Sequence, residues 1–180
     1  MTPMSTVVPW VVSIVLVVAA VIDGLKRRVP NWLTFSMVLA GLASAAWAGG
    51  FRGLLWSLGG ATLGLGLLLP LYAIGGMGAG DVKLLTGVGA WVGPALTFGA
   101  FATSAVVGGL MALAMVAWSG DYIRHWVQFQ MIMHEILAVR DAEKLSELAA
   151  ARKPTMKLLP YGIPLAMGTI IYFVWSGLLF

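Results

Sequence analysis

Two aspartates are the residues of this 180-residue chain whose types and placement are best suited to chemistry. Asp23 closes the uncharged stretch 1–22, and Asp81 closes the uncharged stretch 53–80, directly behind the glycine-rich run Gly75–Gly80. The other five acidic residues lie between positions 121 and 147. Two carboxylates held within a few ångströms cannot both ionise cheaply, so they share a proton. Such a pair can activate water with one carboxylate while the other donates a proton to a peptide carbonyl oxygen.

The composition indicates that these aspartates belong to a membrane protein. The chain is 60% hydrophobic and 10% charged, with a mean hydropathy of +0.94, whereas about a quarter of a soluble domain is charged. The basic residues 26–28 follow the first apolar stretch instead of preceding it, which favours a retained anchor over a cleaved signal peptide. The net charge of +4 comes from loops beside apolar segments, which favours cytoplasmic loops over nucleic-acid binding.

The uncharged stretches predict an all-α, polytopic membrane protein with about six transmembrane helices in one domain, residues 1–180. The stretch 84–120 would be about 55 Å long as one helix, nearly twice the hydrocarbon thickness, so it must be broken. Gly93-Pro94 is the expected break, because proline cannot continue the hydrogen bonding of the helix before it. The predicted segments lie near residues 5–23, 31–48, 54–75, 81–93, 95–118 and 158–179.

Lysine and arginine predict the orientation of these segments. They are concentrated in the loop at 26–28 and in the segment 119–157, while the loop around residues 49–53 holds only Arg52. The first, third and fifth loops are therefore predicted to be cytoplasmic, with both chain ends outside. The chain crosses the membrane twice between Asp23 and Asp81, so both carboxylates are expected at the cytoplasmic face.

The segment 119–157 has a different pattern. Apolar residues recur at three- and four-residue steps between Tyr122 and Ile136, interrupted by polar residues, which predicts an amphipathic helix on the cytoplasmic surface. His125 and His134 have no carboxylate at a helical metal-ligand spacing, so a solvated face is favoured over a metal site. The absence of cysteine excludes a disulfide framework, a thiolate nucleophile and a cysteine-ligated zinc.

The residues around the aspartates leave more than one interpretation open. Gly78 and Gly80 could let an extended peptide lie close to Asp81, because glycine has no side chain to obstruct it. A helix-starting turn, with Asp81 where a negative charge is favoured, explains the same residues equally well. A phosphate-binding loop is disfavoured, since the aspartate would repel phosphate. Asp23 by itself could be a boundary residue that pairs with Lys26 one turn later.

Three stretches resemble the motifs of the type IV prepilin peptidases. Asp23–Asn31 is similar to their first-aspartate motif, in which basic residues and Val-Pro-Asn follow the acid. Gly78–Leu85 is similar to their Gly-x-Gly-Asp motif with its Val-Lys-Leu continuation, and Leu159–Pro164 is similar to the stretch that opens their last helix. The missing cysteine-rich region indicates the short, peptidase-only branch that serves tight-adherence (Flp-type) pili, without methyltransferase activity.

The resemblance implies an aspartic endopeptidase of the bacterial cytoplasmic (inner) membrane that removes the basic leader of prepilins after a glycine, at the cytoplasmic face. Asp23 and Asp81 would be the catalytic pair, with no metal and no cofactor. Gly78 and Gly80 would bind the leader, and Lys83 would either meet an acidic substrate residue or, as lysines at membrane helix ends do, reach toward the interface. The expected partners are the prepilin, the lipid bilayer and the pilus-assembly machinery.

Two other functions remain compatible with the sequence. One is a peptidase of the wider Gly-x-Gly-Asp class that cuts inside transmembrane helices, although the Pro30-Asn31 continuation argues against it. The other is a transporter, or a non-catalytic subunit of a pilus or secretion system, in which the aspartates are ion or proton sites.

Overall fold

The computed structural model describes residues 7–26, 28–73, 76–120 and 161–180, together with Ile123, Val127, Gln130, Met131 and His134. These residues form four helices: α1 (Val7–Lys26), α2 (Asn31–Ala73), α3 (Ala79–Ser119) and α4 (Gly162–Trp175). There is no strand among the described residues, so the prediction of an all-α protein is confirmed for this part of the chain. The predicted surface helix of segment 119–157 lies outside the described residues, apart from Ser119, Gly120 and the five isolated positions.

Three of the helices are long and apolar enough to cross a membrane: α1, α2 and α3. Their outward surfaces carry large apolar side chains, including Trp47 and Trp118, which are 93% and 90% exposed. Soluble monomers rarely show apolar surface on this scale, because water solvates it poorly. The prediction of a membrane protein is therefore confirmed.

Helix α2 is broken at Gly50, where the backbone angles are φ 57° and ψ −143°. This left-handed region favours glycine, because a Cβ atom would collide with the backbone there. The stretch 37–41 of α2 runs parallel to residues 87–90 of α3, against which it packs. The stretch 60–64 packs on residues 85–89 and runs antiparallel to them. The chain therefore reverses direction at Gly50, inside the loop that the sequence predicted around residues 49–53.

Glycines bring α2 and α3 into backbone contact. A Cβ atom on Gly60 would lie 2.1 Å from the carbonyl oxygen of Gly89, and one on Gly64 would lie 2.6 Å from that of Leu85. In lipid, helix association depends on this kind of close packing, because lipid chains are as apolar as leucine. Gly60 and Gly64 therefore allow the backbones of α2 and α3 to pack closely.

Helix α3 is broken at Gly93, with φ 71°, directly before Pro94. This is the break predicted from the length of the uncharged stretch. The second part of α3 packs antiparallel to α4, with Gly99 against Tyr172 and Gly108 against Tyr161. Tyr161, directly before α4, lies within electrostatic reach of Asp81 at the start of α3. The start of α4 therefore lies at the same end of the bundle as the start of α3, and α3 also doubles back.

Helices α1 and α4 run antiparallel along each other. The side chain of Ile163 lies beside Gly24, and at the other end the rings of Trp10 and Phe180 meet edge to face, with centroids 5.8 Å apart. As a result, the end of α1 and the starts of α3 and α4 meet at one end of the bundle, here called the carboxylate end.

Candidate active site

Asp23 lies in the last turn of α1 and is only 5% exposed. Its Oδ2 atom accepts a hydrogen bond of 3.0 Å from the backbone N–H of Gly162, the first residue of α4. The first N–H groups of a helix have no acceptor within the helix, so this one is free to bind a carboxylate. The partner of Asp23 in the described part of the chain is thus Gly162, and the alternative of a boundary residue paired with Lys26 is not supported.

Asp81 lies in the first turn of α3 and is also 5% exposed. Its Oδ2 accepts a hydrogen bond of 3.1 Å from the N–H of Gly78, and its own N–H donates to the carbonyl oxygen of Gly78 over 3.2 Å. The second carboxylate oxygen, Oδ1, is buried and has no hydrogen-bond partner among the described residues. A buried polar atom without a partner is costly, which makes this oxygen a candidate for interaction with water or substrate.

The structure brings the two aspartates to the carboxylate end of the bundle. Asp81 lies within electrostatic reach of Asp23 and of Tyr161, the residue before α4. Each carboxylate is also held in the same way, by one glycine N–H on its Oδ2 atom. Two buried carboxylates within electrostatic reach oppose each other's ionisation, which favours a state in which one is protonated and the other ionised, as paired acid and base chemistry requires.

Gly78 and Gly80 lie beside Asp81, and other atoms of the protein occupy the space next to each glycine where a side chain would be. A Cβ atom on Gly80 would lie 2.9 Å from the Cβ of Val29, in the loop between α1 and α2. A Cβ atom on Gly78 would lie 3.2 Å from Oδ2 of Asp81. These glycines therefore allow the α1–α2 loop and the Asp81 carboxylate to approach the start of α3.

Lys83 joins the start of α3 to the start of α2. Its Nζ atom donates a hydrogen bond of 2.9 Å to Oδ1 of Asn31 and lies 5.3 Å from the centre of the Phe35 ring. A lysine over an aromatic face gains a further electrostatic attraction. Asn31 is the first residue of α2, as predicted, so Lys83 attaches the loop that follows Asp23 to the helix that carries Asp81.

We expect Lys83→Met and Asn31→Ala to lower activity to a similar extent, and the double variant to be no worse than either, because both single changes remove the same hydrogen bond. A double-mutant cycle on kcat/KM measures this non-additivity. The comparison distinguishes a role of Lys83 in the hydrogen bond to Asn31 from a role in binding the substrate. If Lys83 instead meets an acidic substrate residue, neutralising that residue will restore activity to Lys83→Met, and Asn31→Ala will have an additive effect.

Two contacts at this site were not predicted. The bond between Gly162 and Asp23 joins residues 139 positions apart, and the contact of Val29 with Gly80 joins two loops. The available signal for Gly162 was its place in the stretch Leu159–Pro164, which resembles the opening of the family's last helix but does not indicate a contact with Asp23. Among the described residues, no three His, Cys, Asp or Glu side chains gather to hold a metal ion; His125 lies outside those residues.

Comparison with known proteins identifies the family. The family model described as Type IV leader peptidase family matches residues 10–113, which contain both Asp23 and Asp81. Searches of curated proteins and of solved structures returned no significant match. Because the family match spans more than half of the chain and includes both buried carboxylates, the chain belongs to the Type IV leader peptidase family.

Proposed function

We propose that this protein is an aspartic endopeptidase that removes the basic leader of type IV prepilins, cutting after a glycine. The observation that carries the proposal is the pair of buried carboxylates, Asp23 and Asp81, at one end of the bundle in a chain of the leader peptidase family. Both are held by backbone N–H groups, and no charged side chain among the described residues bonds to either carboxylate.

In the proposed reaction, Asp23 and Asp81 start with one proton between them. The ionised carboxylate takes a proton from water as the water oxygen attacks the scissile carbonyl carbon, and the protonated carboxylate donates to the carbonyl oxygen. As the C–N bond breaks, the carboxyl that took the water proton donates it to the leaving amine, and the other carboxylate takes a proton from a hydroxyl of the tetrahedral intermediate, which restores one proton to the pair. Oδ1 of Asp81 is buried without a hydrogen-bond partner among the described residues, which makes it available for these transfers.

We also assign Gly78, Gly80 and Lys83 to the path of the leader. Gly78 and Gly80 flank Asp81 at the start of α3, and Lys83 is one turn after Gly80 at the same end. An extended peptide that presents its carbonyl to Asp81 would pass over this turn. The contacts of these residues with Val29, Asp81 and Asn31 shape the floor of that path.

The proposed topology has six membrane crossings. The reversals at Gly50 and Gly93 divide α2 and α3 into two antiparallel stretches each, which together with α1 and α4 make six. Lys26 and Arg28 are exposed at the carboxylate end, so we place that end at the cytoplasmic face of the bacterial inner membrane. The absence of cysteine from the sequence supports the peptidase-only, Flp-type branch, working beside pilus-assembly machinery.

The direct test is cleavage of a prepilin by the purified protein in detergent, with no other component added. We expect one cut after the glycine, identified by mass spectrometry of the new N-terminus, and no cut when that glycine in the substrate is replaced by a bulky residue. Protein that leaves the prepilin intact but catalyses proton or ion flux in liposomes would contradict the proposal and establish the transporter alternative.

A further inference from the structure

The α1–α2 loop connects the two segments that carry the carboxylates. Val29 lies in this loop shortly after Asp23, and Gly80 directly precedes Asp81. A Cβ atom on Gly80 would lie 2.9 Å from the Cβ of Val29 and 3.3 Å from both its backbone nitrogen and its carbonyl oxygen. The main chain of Val29 therefore packs closely on the first turn of α3.

The sequence makes this part of the loop stiff. Pro30 restricts the backbone of the residue before it to extended conformations, and the branched Cβ of valine restricts its side chain as well. The carbonyl oxygen of Pro30 accepts the N–H groups of Leu33 and Thr34 over 3.2 and 3.4 Å, which attaches the loop to the first turn of α2. Val29 is only 7% exposed. The contact with Gly80 is thus made by a segment that has little freedom to move aside.

A second contact attaches the same loop to α3. Asn31, at the end of the loop, accepts the hydrogen bond from Lys83. The two contact points on α3, Gly80 and Lys83, lie on either side of Asp81 in the sequence. Two attachment points prevent the loop from turning about a single contact, so the first turn of α3 has a defined position relative to the loop.

The hydrogen bonds of the carboxylates leave their separation to other contacts. Asp23 is bound by Gly162 of α4, and Asp81 is bound by Gly78 of its own turn, so neither bond connects α1 with α3. The contact of the α1–α2 loop with Gly80 comes from the chain that follows Asp23 and ends on the neighbour of Asp81. This contact is therefore suited to set the position of one carboxylate relative to the other.

We propose that Val29 is a positioning residue, which holds Asp81 in place relative to Asp23 by packing on Gly80. The inference rests on the proposed function and adds to it a residue that acts through Gly80 without touching the substrate. It also gives a reason for glycine at position 80 besides room for the leader, because the loop itself lies where a side chain would be.

The first variant that tests this role is Gly80→Ala. Contacts between carbon atoms are about 3.5–4.0 Å long, so a Cβ atom at 2.9 Å from that of Val29 forces the loop and α3 apart by up to about 1 Å. Because displacements of this size are costly in rate, we expect kcat for prepilin cleavage to fall about thirtyfold, with KM changed less than about twofold. Steady-state kinetics on the purified variant in detergent measure both.

Gly41→Ala is the matched control for Gly80→Ala. Its Cβ atom would also lie 2.9 Å from another Cβ atom, that of Ala90, which is about 14 Å along α3 from Asp81. The steric conflict is equally close but remote from the carboxylates. We expect the control variant to lower the melting temperature at least as much as Gly80→Ala does, while kcat of the folded protein stays within about twofold of the unaltered value.

Removing the opposing Cβ atom should restore the rate of Gly80→Ala. In the double variant Gly80→Ala/Val29→Gly, the alanine methyl group occupies the place of the valine Cβ, and Pro30 still restricts the backbone at position 29. We expect its kcat to return to within about fivefold of the unaltered value. In Gly80→Ala/Val29→Ala the opposing Cβ atom remains at 2.9 Å, so kcat should stay at the level of Gly80→Ala.

Val29→Gly by itself keeps the test possible if Gly80→Ala does not fold, because it creates no steric conflict. It removes the side chain that packs on Gly80, so we expect kcat to fall about fivefold with KM unchanged. Val29→Ala, which keeps the contacting Cβ atom, should lose less.

Three results would overturn the positioning role while leaving the peptidase function intact. A loss in Gly80→Ala that appears only in KM and is not reversed by Val29→Gly would assign Gly80 to leader binding alone. Equal losses of kcat in Gly80→Ala and Gly41→Ala would indicate a general packing effect. Unaltered kcat in Val29→Gly would show that the valine side chain does not position Asp81. If the unaltered protein does not cut the prepilin, the proposed function and the positioning role both fail.

Discussion

Replacing Asp81 or Asp23 with asparagine is expected to reduce prepilin cleavage by roughly 10²–10⁴-fold, the usual contribution of acid–base catalysis. Asparagine has nearly the same shape and keeps a carbonyl oxygen that can accept the N–H of Gly78 or Gly162. It cannot take or give the shared proton, so the geometry would remain while the chemistry is lost. The rate at which the mature N-terminus appears, measured by mass spectrometry, checks this.

The double variant should lose little more than either single one, because residues that act as a unit give strongly non-additive effects. Asp121→Asn is the matched control, since it makes the same chemical change in the polar segment outside the two aspartate motifs. All variants must insert and accumulate normally. Cleavage at the unaltered rate by either single variant would show that the carboxylate pair is not catalytic.

Gly162→Ala is expected to lower kcat about a hundredfold without a comparable rise in KM. The added Cβ atom would lie 2.8 Å from Oδ2 and 3.1 Å from Cβ of Asp23, so the carboxylate must move although its hydrogen-bond donor is retained. A misplacement of about 1 Å can cost 10²-fold in rate. Alanine is the better helix former by about 1 kcal/mol, so helix propensity would not lower the stability of α4. Steady-state kinetics on the purified variant measure the effect.

Other glycines at the same end of the bundle provide graded controls for Gly162→Ala. A Cβ atom at Gly109 meets nothing within 4 Å among the described residues, so Gly109→Ala should be fully active. At Gly78 the corresponding atom would lie 3.2 Å from Oδ2 of Asp81, so Gly78→Ala should show an intermediate loss. Equal rates for the Gly162 and Gly109 variants would refute the view that Gly162 sets the position of Asp23.

Most of the helical framework could be predicted because it depends on local composition. The uncharged stretches, interrupted at Arg52 and divided at Gly93-Pro94, predicted helices and breaks close to those in the structure. The ends were less accurate: α1 continues to Lys26 and not only to residue 23, and α4 begins at Gly162 and not at 158. Helix ends depend on single contacts, and some of these, such as the hydrogen bond from Gly162 to Asp23, are made with residues far away in the sequence.

The glycine-rich run before Asp81 could be predicted only in part from the sequence. Glycine predicted a close approach at Gly78 and Gly80 without indicating which group approaches. In the structure, Asp81 itself approaches Gly78 and Val29 approaches Gly80. The preference of a backbone position for glycine is local, but the identity of its neighbour is decided by how distant helices pack.

The sequence by itself determined the apolar segments, the break at Gly93 and the selection of Asp23 and Asp81 as candidate catalytic residues. Hydropathy and proline act locally, and the number of membrane crossings between two isolated charges indicates whether they lie at the same face. Only the tertiary structure decided that the N–H of Gly162 holds Asp23, that Val29 packs on Gly80, and that Lys83 bonds to Asn31. These contacts join residues that are distant in the sequence, and their positions depend on the packing of the helices at the carboxylate end.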